Sequence, residues 1–323
     1  MHVAIDMLDL SQLSTQLLVR NYGVPMTIPA RVILTEVSPR DGLQNEATFI
    51  PTETKIHFIE LLTAAGFPII EATSFVNPTK IPALADADAV MRHFSSTPTT
   101  QYSALIPNTQ GLENAITANC KHIAVITAVS ETFAQKNMHC SIEESLKRIN
   151  DVILIAKKNH MTVRGYISCT MGCPYEGMIP IEKTVNIAQQ LLTVGCDEIV
   201  IADTIGTGTP LLAQNILRAV MQHIPLEKLA IHFHDTYGQA IANIFACLQL
   251  GIFKIDSSVG GLGGCPYAKG ASGNVATEDV LYLLHQLQIE TGIDLHKAIN
   301  ASDFIHSHLP HNTRSKAAQA LRL

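Results

Sequence analysis

The chain has 323 residues, of which 47% are hydrophobic and 15% charged, and its net charge is −6. That composition supports a large packed core and excludes disorder, collagen and coiled coil as the main architecture. A negative balance without a long Lys/Arg run argues against nucleic acid or an anionic membrane surface as partner, and no apolar stretch is long enough for a bilayer-spanning helix.

Residues 1–26 carry Asp6 and Asp9 against Arg20. Transit peptides are Arg-rich and poor in acids, and no apolar segment precedes a small-residue cleavage site. The segment is therefore expected to be an N-terminal extension or the product of an upstream start, and a cytoplasmic location is expected. Seven cysteines, an odd number spread along the chain, read as reduced thiols in a cytosol-like compartment.

From residue 32 short β-branched runs recur: Val32–Val37, Ile69–Ala72, Tyr102–Ile106, His122–Thr127, Thr162–Ser168, Glu198–Ala202, Leu229–His234 and Phe253–Ser257. Amphipathic stretches of helical length lie between them, among them Pro51–Ala65, Ile142–Lys158, Ile181–Val194 and Ala240–Leu250. Pro51 and Pro210 suit first-turn positions, and Ser141-Ile142-Glu143-Glu144 reads as a capping box. Gly66, Gly195 and Gly251 fall where helices should stop. Eight strands alternating with helices imply a parallel sheet with right-handed crossovers. No Gly-x-Gly-x-x-Gly follows the first strand, which weakens a dinucleotide-binding fold. The expected architecture is an α/β chain with one (β/α)₈ TIM barrel over residues 27–300. Residues 301–323 form a short C-terminal helical appendage.

In such barrels the chemistry sits at the C-terminal ends of the strands. Polar residues gather there: Arg40 and Asp41 after the first strand, Glu71 in the second, Asp203 in the sixth, and His232 and His234 in the seventh. A glycine-rich run, Gly260-Gly261-Leu262-Gly263-Gly264-Cys265, follows the eighth, with Gly273-Asn274 shortly after. His232 and His234 are two apart on a strand, so both imidazoles face the same way. Two hydrogen-bonded histidines in a polar cluster would satisfy that pattern, as would a pair of metal ligands. Asp41 and Asn274 weigh toward the metal, because two imidazoles with two oxygen donors suit six-coordinate Mg²⁺ or Mn²⁺. Zinc is the second choice. Cys169 and Cys173 lack a second zinc-knuckle half and read as bystander thiols. Cys265 stands in a loop whose glycines permit large backbone changes, near the proposed metal, where a thiol can move a proton.

Three runs carry a family resemblance: Glu36 to Glu46, Ser168 to Gly177, and Gly260 to Asn274 with Gly-Gly-Leu-Gly-Gly-Cys-Pro-Tyr at its start. Over residues 27–300 the chain resembles hydroxymethylglutaryl-CoA lyase, within the metal-dependent barrel enzymes that make or break carbon–carbon bonds beside a carboxylate. The resemblance implies that Asp41, His232, His234 and Asn274 bind a divalent cation, Mg²⁺ or Mn²⁺. It further implies that Arg40 binds and polarises the substrate and that Cys265 is the catalytic thiol. Glu71 and Asp203 match active-site positions, with Asp203 moving a proton beside His232, and Glu278 lies nearby as support. The implied substrate is an acyl-CoA and the implied assembly a homodimer. The rival reading is a related synthase that condenses acetyl-CoA with a 2-oxo acid.

Overall fold

A computed structural model of the protein describes residues 28–95, 99–264 and 273–322. Eight parallel strands close into a barrel in sequence order: β1 (Ile33–Glu36), β2 (Ile69–Ser74), β3 (Gln101–Leu105), β4 (His122–Ala128), β5 (Thr162–Ser168), β6 (Glu198–Asp203), β7 (Leu229–Phe233) and β8 (Lys254–Ser257). Every β-branched run of the sequence is a strand, with ends moved by no more than two residues. Helices α1 (Thr52–Ala65), α2 (Ala87–Phe94), α3 (Thr109–Thr117), α4 (Glu131–Met138), α5 (Ile142–Lys158), α6 (Ile181–Val194), α7 (Pro210–Met221), α8 (Ala240–Leu248) and α9 (Thr277–Gln286) complete the alternation. The arrangement is the expected (β/α)₈ barrel.

Local signals explain the boundaries. Ser141 accepts a hydrogen bond from the Glu144 N–H at 3.0 Å and caps α5. The Glu144 carboxylate pairs with Arg148, one turn on. Gly66 and Gly195 end α1 and α6 in the left-handed region, which costs glycine nothing. Pro210 opens α7, whereas Pro51 stands one place earlier than expected, at the N-cap of α1. There its extended ψ feeds the chain into the helix, and its missing N–H leaves nothing unsatisfied.

Beyond the barrel come α10 (Leu295–His306) and α11 (Lys316–Leu321). The boundary expected at residue 300 falls inside α10, a continuous helix with Ala298, Ile299, Ala301 and Ile305 buried. Its apolar face ties it to the barrel, so no break in the chain separates the appendage there. Among the described residues no helix is long and apolar enough to cross a membrane.

The main core fills the space between sheet and helices, and a smaller cluster of Leu105, Ala124, Tyr166, Val200 and Ala230 fills the barrel itself. Charges line the interior as well. Arg164 pairs with Glu198 at 2.5 Å and with Asp256 at 2.7 Å, and Lys254 with Glu198 at 2.5 Å. These groups support the floor of the mouth.

Candidate metal centre and active site

β1 runs into a π-helical turn, Ser38–Gly42, in which the N–H groups of Arg40, Asp41 and Gly42 all point to the Val37 carbonyl. Single π-turns of this kind recur at functional sites. This one brings sequence neighbours Arg40 and Asp41 to the same place. Arg40 Nη1 lies 2.7 Å from Asp41 Oδ1 and Nη2 lies 2.6 Å from Glu71 Oε2. The guanidinium is buried between two carboxylates, and Glu71 Oε1 has no hydrogen-bond partner. Burial alone would lower the Arg40 pKa, but Glu71 and Asp41 outweigh it and hold the charge firmly. Burial raises the Glu71 pKa against the pull of Arg40. Burial acts on Asp41 in the same sense, but Arg40, His232 and His234 outweigh it and hold this carboxyl down at about 2.

β7 supplies the imidazoles. The strand ends at Phe233, one residue earlier than expected, and His234 bridges to Asn274 instead. Both rings still reach one site, with centroids 5.4 Å apart. One potential ligand atom from each of Asp41, His232 and His234 lies within 4.8 Å of the others. Asn274 joins them, its Nδ2 donating to Asp41 Oδ2 at 2.8 Å and to the Leu262 carbonyl at 3.0 Å. With both amide protons engaged, its carbonyl oxygen is the atom left for a ligand. Burial, with His232 adding to it, pushes His234 down to about 4, so its imidazole is neutral near pH 7, the form that binds metals. His234 Nδ1 is buried without a protein partner, an atom a cation would satisfy. Two nitrogens, a carboxylate and an amide oxygen fit a divalent cation.

Asp203 ends β6 with no exposed surface. Its Oδ1 accepts from the Thr207 N–H at 3.1 Å and its Oδ2 from the Gly208 N–H at 2.8 Å, while burial pushes it up to about 6. Its carbonyl accepts from the His234 N–H at 3.2 Å, which ties it to the metal donors. Cys265 lies outside the described residues. Gly264 before it accepts from Asn45 Nδ2 at 3.1 Å. Glu278 sits behind the site, both oxygens accepting from the Gly260 N–H at 3.0 and 2.8 Å. Cys169 and Cys173 are buried, and the described cysteines form no disulfide.

Sequence reasoning passed over two buried acids. Glu36 accepts from the Ser38 and Val259 N–H groups at 3.0 Å and from Thr277 Oγ1 at 2.7 Å, joining the π-turn to the segment after β8. Asp256 stands 3.2 Å from His232 Nδ1. Glu36 ends β1 after Ile33-Leu34-Thr35, but Asp256 lies among Lys254, Ile255 and Ser257, where an acid does not stand out.

A closed (β/α)₈ barrel with a donor set that fits a divalent cation, an arginine and two buried acids at its mouth defines the class: a barrel enzyme with a candidate metal centre. The family model described as HMGL-like matches residues 31–305, and the chain belongs to that family. It is 51% identical to the mitochondrial hydroxymethylglutaryl-CoA lyase of Mus musculus over 294 residues, covering 91% of this chain and 90% of the relative. It is 50% identical to the cytoplasmic 3-hydroxy-3-methylglutaryl-CoA lyase of Rattus norvegicus, covering 91% and 85%. The crystal structure of hydroxymethylglutaryl-CoA lyase from Pseudomonas aeruginosa superposes with a TM-score of 0.90 at 47% identity, covering 92% of this chain and 99% of that one.

Proposed function

We propose that this chain is a carbon–carbon lyase that cleaves (3S)-3-hydroxy-3-methylglutaryl-CoA to acetyl-CoA and acetoacetate with Mg²⁺ or Mn²⁺. The observation that carries the reading is the convergence of Asp41, His232, His234 and Asn274 with Arg40 in one mouth. The relatives at about half identity carry the lyase name, which sets the condensing synthase aside.

Asp41, His232, His234 and Asn274 would hold a divalent cation, which when bound would supply Lewis-acid polarisation of the substrate's oxygens and a lowered pKa at its 3-hydroxyl. Asp203, with its pKa near 6, takes the hydroxyl proton. The C2–C3 bond breaks, acetoacetate leaves, and the electron pair moves onto the thioester as an enolate. Arg40 offsets the charge on the enolate oxygen. Cys265 donates its thiol proton to the enolate carbon, giving acetyl-CoA, and recovers a proton from Asp203 or solvent. Glu71 holds the Arg40 guanidinium in place.

The relatives above include mitochondrial and cytoplasmic enzymes at nearly the same identity. Free thiols among the described cysteines suit a reducing compartment, and we propose a cytoplasmic location, as in the cytoplasmic relative, and a homodimeric assembly from the family likeness alone.

The reading is tested by following acetoacetate release after exhaustive chelation. Activity should vanish and return with Mg²⁺ or Mn²⁺, and His234→Ala should need far more metal for half-activation. Full turnover in metal-free protein would overturn it. Cys265→Ser should keep Mn²⁺ binding and lose most turnover, because a hydroxyl is a far poorer acid than a thiol.

A further inference from the structure

We infer that Asp256 is a positioning residue that sets the tautomer of His232, so that Nε2 is the nitrogen offered to the cation. The inference rests on the metal centre proposed above and concerns a residue outside its donor set. Asp256 and His232 are register partners across the β7–β8 pair, so their side chains stand side by side on the inner face of the barrel. Asp256 Oδ2 lies 3.2 Å from His232 Nδ1, and His232 Nε2 lies 3.9 Å from Asp41 Oδ2. A carboxylate at Nδ1 accepts the ring proton and leaves the lone pair on Nε2, the nitrogen turned toward the donor set.

The carboxylate has two further neighbours. Oδ2 accepts from Tyr166 Oη at 2.8 Å, and Oδ1 lies 2.7 Å from Arg164 Nη2. Arg164 continues to Glu198, its register partner on β6, and Glu198 to Lys254, two residues before Asp256 on β8. The circuit Asp256–Arg164–Glu198–Lys254 runs through the barrel interior and returns to its own strand. Asp256 is 1% exposed, so no water competes for the ring proton from the strand side. Paired charges of this kind cost desolvation, and a pair kept at that cost can hold one geometry. Here the geometry held is the imidazole edge.

The test has two readouts on the full chain. In metal-free parent protein, ¹⁵N shifts of His232, assigned by their loss in His232→Gln, should report the Nδ1–H tautomer. Asp256→Asn should shift the ring toward Nε2–H and weaken Mn²⁺ binding, followed by electron paramagnetic resonance, about 10–100-fold. Tyr166→Phe, which keeps the carboxylate, should retain the tautomer and bind Mn²⁺ almost as the parent does. An Nε2–H ring in the parent overturns the inference whether or not Asp256→Asn folds. So does an Asp256→Asn protein with parental Mn²⁺ affinity, or a Tyr166→Phe protein as impaired as Asp256→Asn. A parent that shows Nδ1–H but binds no Mn²⁺ upholds the tautomer assignment and sinks the metal centre, so the two failures are distinct.

Discussion

Arg40 is held between Asp41 and Glu71, and its removal acts on both at once. Arg40→Met leaves Glu71 buried without its cation, and burial already raises that carboxyl's pKa. Glu71 then takes up a proton, and the enolate oxygen loses its compensating charge. Loss of a donor to a developing oxyanion costs about 10²–10³ in rate, or roughly 3–4 kcal/mol, and the loss should fall on kcat. Arg40→Lys restores the charge without the planar fork that spans both carboxylates, so it should recover only part of the rate. Steady-state kinetics at matched metal saturation checks both variants. Unchanged kcat with a raised KM in Arg40→Met would make Arg40 a uniform binder with no part in bond cleavage. Asp203, His232 and His234 stood out in the sequence because a polar side chain closing a β-branched run has no packing reason to be there, whereas Arg40 and Asp41 lie just past such a run, Glu71 lies inside one, and Asn274 stood out only beside the glycine-rich segment. Asp256 did not, because its partner His232 lies 24 residues away and only strand register brings the two together.

At the scale of elements, the site depends on two backbone segments crossing at van der Waals distance. Gly273 has φ +89°, and a Cβ there would fall on the carbonyl of Gly263. The Asp235 N–H donates to the Gly273 carbonyl at 2.9 Å, and Asn274 follows directly. Gly273→Ala therefore meets backbone, which cannot swing aside as a flexible side chain can. The crossing must open, and Asn274 moves with it. Strain of this kind costs about 1–3 kcal/mol, so the variant should melt lower and bind Mn²⁺ more weakly. Parental melting and Mn²⁺ affinity would show that the crossing gives way without disturbing Asn274. The sequence marked these glycines as a permissive loop but could not tell which carbonyl each must clear. Helix stops were easier to read, because the φ of Gly66 and Gly195 serves the helix each one ends. α10 continues through the boundary expected at residue 300, with its buried residues on both sides.

Across the whole molecule, Glu36 and Glu278 join β1, the segment after β8 and α9, and both are fully buried. Burial raises each to about 7 from an ordinary value of 4.5, despite the N–H groups that favour the anion. The folded chain thus binds their protons more tightly than the unfolded chain does. Their contribution to stability is complete below pH 4.5 and drains away as pH rises toward 7. His234, lowered to about 4, acts in the opposite sense over much of the same range, since stability falls as acid charges the unfolded ring. The parent's own melting profile therefore mixes the two. Comparison with Glu36→Gln separates them, because His234 is common to both proteins and cancels. The substituted amide keeps a carbonyl oxygen for the Val259 N–H but cannot ionise. Near pH 5 the parent's carboxyl is protonated and the two proteins should melt close together. By pH 8 the parent holds a buried carboxylate while the variant holds a neutral amide. The difference in Tm, variant minus parent, should rise steadily from pH 5 to pH 8, with each kcal/mol worth roughly 2 °C for a chain of this size. Calorimetry at constant ionic strength measures it, and a difference that stays flat or falls with pH would mean that Glu36 is already ionised in the folded chain at pH 5.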